Sequence, residues 1–365
     1  MRAILRATAA RTTSVSCQAT LTVLVVSLAA IGLRAPMARA AELMSADAPA
    51  ANVFCNGIRQ QDEIWLVNVR PLCGCCEPEM LAKNIQVESY VATGDGGRRC
   101  WQSADMGGLT SANPSVPTVI FVHGNQISPG DAKQEGVALY RRMVWAADSP
   151  TPIRYVIFSW PSSKISGLLR DVRVKALRTR PAGCQLAWVI DQLPGETPVE
   201  LIGFSFGARI ITGALHILGG GDLGGLTLAA RQHPDRQPMN VVLFAAALNS
   251  DWLCPGHYHG QAMTQVDRMM LLNNCNDMAM EYYRFSATCG NPQALGLCGP
   301  TCMDAAGAAK IRQRDLSRWV DQHDLMCYIC APGVPADFWQ YSHADQSASA
   351  SVSPNASPTP MPANN

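Results

Sequence analysis

The run Leu201-Ile202-Gly203-Phe204-Ser205-Phe206-Gly207-Ala208-Arg209-Ile210-Ile211 sets one serine between two glycines, with apolar residues on either side. A serine hydroxyl is a poor nucleophile until a base can reach it and the backbone aims it at a substrate. A sharp strand-to-helix turn does this, but it crowds the backbone around the serine. Glycines two residues before and two after relieve the crowding. The N–H of Phe206 would then lie in the positive field of a helix start, where it can hold an oxyanion. The competing expectation is an ordinary tight turn around a buried serine.

Such a serine needs a second oxyanion donor, a base and an acid. Phe121-Val122-His123-Gly124-Asn125-Gln126 ends an apolar run in a His-Gly pair. Gly124 lets backbone approach a substrate, and the N–H of Asn125 or Gln126 would be the donor; His123 reads as a structural hydrogen-bonding residue. Of the seven histidines, His323 and His343 lie late in the chain. His323 follows an expected last strand over residues 310–315 and is preferred as base, with a partly buried capping role as its alternative. The acid is expected at Asp277, which ends Met269-Met270-Leu271-Leu272-Asn273-Asn274-Cys275-Asn276-Asp277. Its work would be to orient the imidazole and stabilise its cation. Asp251 and Asp267 are the competitors.

Two other clusters invite different chemistry. His257-Tyr258-His259 near Cys254 lacks a fourth ligand at familiar spacing, so no metal is assigned. Cys327-Tyr328-Ile329-Cys330 has redox spacing but does not open the helix of a thioredoxin-like unit, so structural bridges are expected. Cys73, Cys75 and Cys76, with Cys55 and Cys100, are expected to staple the N-terminal hairpin region.

The elements that position these residues alternate. Residues 63–70 and 85–91 read as two antiparallel strands. Short unbroken apolar runs follow at residues 118–122, 155–158, 199–202, 241–244 and 269–272. Runs without alternation suit strands buried on both faces of a parallel sheet. Helical spacing fills the gaps at residues 132–147, 183–193 and 207–218. The five glycines between Gly219 and Gly225 follow a helix, so they read as a helix stop and turn, not a phosphate loop. The fold class is α/β with right-handed crossovers. Only about 20 residues separate the last two apolar runs, which leaves no room for a large cap domain.

The set FVHGN, FSWPS, GFSFG and NNCND resembles bacterial α/β-hydrolases of a family of unknown function, marked by an HG-containing loop and a Ser-Trp-Pro strand end. The resemblance spans roughly residues 60–343. It implies an eight-stranded α/β-hydrolase sheet, an N-terminal strand pair at residues 65–70 and 85–91, and a Ser…Asp…His order. The family's serine turn carries His before and Met after the serine, whereas Phe204 and Phe206 stand here, which narrows the pocket.

Composition bounds the rest. The 365 residues are 48% hydrophobic and 16% charged, enough for a large core. With 29 basic and 28 acidic residues there is no field to attract nucleic acid or an anionic membrane. Residues 1–41 read as a signal peptide: Arg2, Arg6 and Arg11, an apolar run over 21–33, then Ala38-Arg39-Ala40. Cleavage there would release an exported, soluble protein; an uncleaved N-terminal anchor is the alternative. The 14 cysteines suit an oxidising compartment. Residues 42–53 and 344–365 read as flexible and disordered segments around a hydrolase domain over 54–343. The expected function is hydrolysis of a small-molecule or lipid ester, without metal or cofactor. The rivals are a non-catalytic binding protein on the same fold and a redox or metal-binding exported protein.

Overall fold

The computed structural model describes residues 54–341, apart from 56, 73, 94–97, 146–150, 229 and 287–290. The expected signal peptide, the flexible segment before residue 54, the C-terminal tail and His343 lie outside the described residues.

A nine-stranded sheet organises the chain. In chain order its strands are β1 (Glu63–Asn68), β2 (Gln86–Ala92), β3 (Arg99–Ala104), β4 (Thr118–Val122), β5 (Arg154–Ser159), β6 (Val199–Phe204), β7 (Met239–Phe244), β8 (Val266–Asn273) and β9 (Ile311–Asp315). Their order across the sheet is β9-β8-β7-β6-β4-β5-β1-β2-β3. β1 pairs parallel to β5 and antiparallel to β2, and β2 pairs antiparallel to β3, so β2 alone runs against the rest. The α/β class holds, with one strand more than the eight expected. The extra strand is β3, an edge strand of sequence RCWQSA with no fully buried position. Such a strand carries no apolar run to announce it.

Every residue of β4, β5, β6 and β7 is buried. Burial at every position means that both faces are covered, which is why these strands read as continuous apolar runs. The covering helices are α1 (Pro129–Trp145), α2 (Leu168–Gln192), α3 (Phe206–Leu218), α4 (Leu325–Ile329) and α5 (Val334–Tyr341). α2 begins fifteen residues before the expected 183. Its first half carries exposed Leu168, Leu169 and Leu177 among arginines, so its apolar periodicity is blurred. The connection from β7 to β8 holds one short turn, Ala262–Gln265, and no cap domain.

The chain order creates a switch. From β4 the chain crosses to β5 on one side, then returns past β4 to β6 on the other. Right-handed crossovers place α1 and α2 on opposite faces and leave a crevice at the carboxyl ends of β4 and β6. Both motifs singled out in the sequence sit there: the His123-Gly124 loop leaves β4 and Ser205 leaves β6.

Among the described residues, two disulfides tie distant segments. Cys76 bonds Cys184 on α2, across 108 residues, and Cys254 bonds Cys302 across 48. The first corrects the expected N-terminal staple: Cys76 reaches into α2, and Cys75 and Cys100 have no disulfide partner among the described residues. Cys55 and Cys73 carry no described side chain. Cys327 and Cys330 likewise have no disulfide partner among the described residues, against the expectation of bridges. Among the described residues, no helix is long and apolar enough to cross a membrane.

Candidate active site

Ser205 stands between β6 and α3 with φ 56° and ψ −119°. A positive φ on a residue with a Cβ is strained, and here the fold holds it. Its N–H donates to the Phe244 carbonyl (3.0 Å), and its carbonyl accepts from the Ala247 N–H (3.1 Å). The flanking glycines are steric necessities. A Cβ on Gly203 would stand 2.7 Å from the Ala208 backbone, and one on Gly207 2.0 Å from the Val122 carbonyl oxygen.

The structure brings Ser205, His323 and Asp277 into one hydrogen-bonded line. His323 Nε2 is 3.0 Å from Ser205 Oγ, and His323 Nδ1 is 2.7 Å from Asp277 Oδ2. A carboxylate can only accept, so the imidazole proton lies on Nδ1 and Nε2 is left to accept from the serine hydroxyl. The Asp277 side chain is fully buried, whereas that of His323 is 24% exposed and Ser205 as a residue 5%. Acid inside and base at the surface is the order that a proton shuttle to a bound substrate needs.

Each member is held by its own element. Asp277 caps a short helix, Met278–Glu281, accepting from the N–H groups of Ala279 and Met280 through Oδ1. Tyr328 on α4 donates its phenol to Oδ2 at 2.7 Å. Burial alone would raise the Asp277 pKa; the bonds from His323, Tyr328 and Met280 outweigh it and hold the group below its ordinary value. His323 precedes Asp324, whose carboxylate caps α4. The His323 ring also lies against Phe204, centroids 4.9 Å apart. The acid and base loops are laced together by Asn274 Nδ2 to the Val320 carbonyl (2.9 Å) and Asn276 Nδ2 to the Ser317 carbonyl (3.0 Å).

The β4 loop abuts the serine. A Cβ on Gly124 would meet Phe204 Cδ1 at 2.9 Å and Ser205 Cβ at 3.4 Å. Among the described residues, the N–H groups of Phe206 and Asn125 have no acceptor. His123 is fully buried. Its Nδ1 donates to the Gly124 carbonyl (3.0 Å), leaving Nε2 to face the Trp160 N–H and the Arg70 guanidinium, each at 3.4 Å. Burial pushes its pKa down to about 3, so it is neutral and structural. Trp160 is fully buried and its indole donates to the His123 carbonyl, so it is part of the core.

Three residues that sequence reasoning passed over hold this loop and the acid. Asp171, on α2, accepts from Asn125 Nδ2 (2.7 Å) and the Ile165 N–H (2.7 Å), and pairs with Lys175 Nζ (2.9 Å). Both side chains of that ion pair are fully buried. Arg70 reaches the Ile127 carbonyl (3.0 Å) and Ser159 Oγ (2.8 Å). Tyr328 is the third. Asp171, just after the exposed first residues of α2, and Tyr328 within a Cys-x-x-Cys frame carry no local signal of these contacts.

The rival residues are occupied elsewhere. Asp251 pairs with His257 (3.2 Å) and Asp267 with Arg268 (3.5 Å), both at the surface. His259 is buried against Thr212 Oγ1 (2.9 Å). Among the described residues, no group of three or more His, Cys, Asp or Glu could hold a metal ion.

No protein-family model and no curated protein matches this chain. Solved structures similar to it include esterase B from Lactobacillus rhamnosis (12% identity over 86% of this chain and 94% of that one, TM-score 0.35). Acyl-protein thioesterase 2 from Zea mays (11%, 65% and 95%, 0.33) is another. So is an acetylxylan esterase (16%, 64% and 98%, 0.32).

Proposed function

We propose that this protein is an exported serine hydrolase that cleaves a carboxylic ester through an acyl-enzyme. The observation that carries the proposal is the line from Ser205 Oγ through the His323 imidazole to buried Asp277. His323 Nε2 takes the Ser205 proton as Oγ attacks the ester carbonyl, and Asp277 stabilises the resulting imidazolium. The unclaimed N–H groups of Phe206 and Asn125 receive the oxyanion. The imidazolium returns its proton to the leaving alcohol. Water then attacks the acyl-enzyme with His323 as base, releasing the acid and restoring Ser205. Exposed Met278 and Trp319, on the loops that carry Asp277 and His323, favour an apolar substrate. Two disulfides fit the oxidising compartment that the leader implies.

Fluorophosphonate labelling of the leaderless protein, with the modified peptide identified by mass spectrometry, tests this. Labelling at Ser205 that vanishes in Ser205→Ala is expected. A folded protein that resists the probe would sink the hydrolase proposal in favour of a non-catalytic binding protein.

A further inference from the structure

One turn along α3 from the serine lies a charge that no described residue balances. Arg209 is 9% exposed and stands four residues after Ser205, about 6 Å along the helix axis. Its guanidinium lies 4.5 Å from the Trp252 ring centroid and 5.9 Å from that of Phe206. Among the described residues it has no hydrogen bond and no ion pair. A second guanidinium comes from α2: Arg180 lies 5.8 Å from the Tyr258 ring, with Nε cut off from solvent and without a hydrogen-bond partner. The Tyr258 hydroxyl is buried and equally unpartnered. Trp252 and Tyr258 pack edge to face at 4.7 Å, so both cations meet one aromatic patch.

Buried arginines are ordinarily paired with carboxylates, because an uncompensated charge out of water costs several kcal/mol. The groups that act on Arg209 are Tyr283, Tyr258 and Arg180, together with neutral, buried His259; none is a carboxylate. Burial first, and then Arg180, press the Arg209 pKa below its ordinary value. Asp251, on the same loop as Trp252, is engaged with His257. Two cations and one phenol donor without an acceptor are the complement of an anionic oxygen group.

We propose that Arg209, Arg180 and Tyr258, on the Trp252 face, form a binding site for a carboxylate or phosphate group. The guanidiniums supply forked N–H donors, Tyr258 adds its hydroxyl, and the indole flanks the ligand's apolar stem. This site does not depend on Ser205 being a nucleophile.

Calorimetric titration of the wild-type protein with inorganic phosphate and with succinate, at fixed ionic strength and with chloride as reference, tests it. Saturable binding is expected, weakened about tenfold or more in Arg209→Met. Should that variant fail to fold by circular dichroism, Arg180→Met and Tyr258→Phe carry the same expectation of weakening. No binding above chloride by folded wild type, or binding unchanged in every folded variant, overturns the site. Kinetics then separate two sources of the anion. A group borne by the substrate raises KM for a succinate monoester in Arg209→Met but not for a neutral acetate ester. A free ligand leaves both KM values alone and shows only in the titration. Anion binding without fluorophosphonate labelling would sink the ester proposal and leave this one standing.

Discussion

Gly207→Ala tests whether the proposed catalytic geometry rests on the contact between α3 and the end of β4. The added Cβ would stand 2.0 Å from the Val122 carbonyl oxygen, 2.7 Å from its carbon and 2.9 Å from the His123 carbonyl oxygen. All three are backbone atoms, so no side chain can swing aside. Restoring an ordinary contact of about 3.4 Å requires the start of α3 to retreat by about 1.4 Å from β4. That movement carries the Phe206 N–H and Ser205 away from Gly124 and His323 together. A misplacement of about 1 Å costs on the order of a hundredfold in rate, and overpacking about 1–3 kcal/mol in stability. The assay is the second-order rate of fluorophosphonate labelling, beside a thermal melt. The expected result is a folded but destabilised protein that labels about a hundred times more slowly. Gly130→Ala, where the Cβ would meet only Ser128 Oγ at 4.0 Å, is the control and should label normally. A Gly207→Ala protein with wild-type labelling and melting would refute the reasoning.

Asn125→Ala removes the side-chain tie from the β4 loop to Asp171 while leaving the Asn125 N–H in place. The loop should loosen, lowering kcat for an ester about tenfold with little change in KM; an unchanged kcat would show that Asp171 does not position the loop. Glu135 on α1 has Oε1 buried and unpartnered, and burial, then Asp324 and Asp131, raise its pKa from 4.5 to about 8. A raised folded pKa gives stability that is whole below the unfolded value and lost as pH rises through the folded one. The Tm advantage of Glu135→Gln over wild type should therefore widen from about pH 5 to about pH 8 and then level; a gap independent of pH would contradict this. Replacing Cys76 and Cys184 together by serine opens a 108-residue loop and should cost about 2–5 kcal/mol in denaturant unfolding. Equal midpoints for that variant and wild type would mean that the bond does not constrain the unfolded chain.

The sequence alone carried the residues whose signal is local. β4 to β8 stood out because strands covered on both faces need apolar side chains at nearly every position. Ser205 stood out because its turn excludes a Cβ at Gly203 and Gly207, a constraint written within five residues. His323 and Asp277 could be named only as candidates among His343, Asp251 and Asp267, because their meeting depends on contacts 46 and 118 residues apart. Tertiary structure alone decided the rest. It placed β3 on an exposed edge where no hydrophobic pattern is demanded, and it sent Cys76 to Cys184 although nearer cysteines were on offer. It also set Asp171, Arg70 and Tyr328 behind the site and left Arg209 without a counter-charge among the described residues. Such long-range polar contacts follow from how helices and loops converge at the carboxyl ends of β4 and β6, and a polar side chain gives no periodic sign of the partner it will meet.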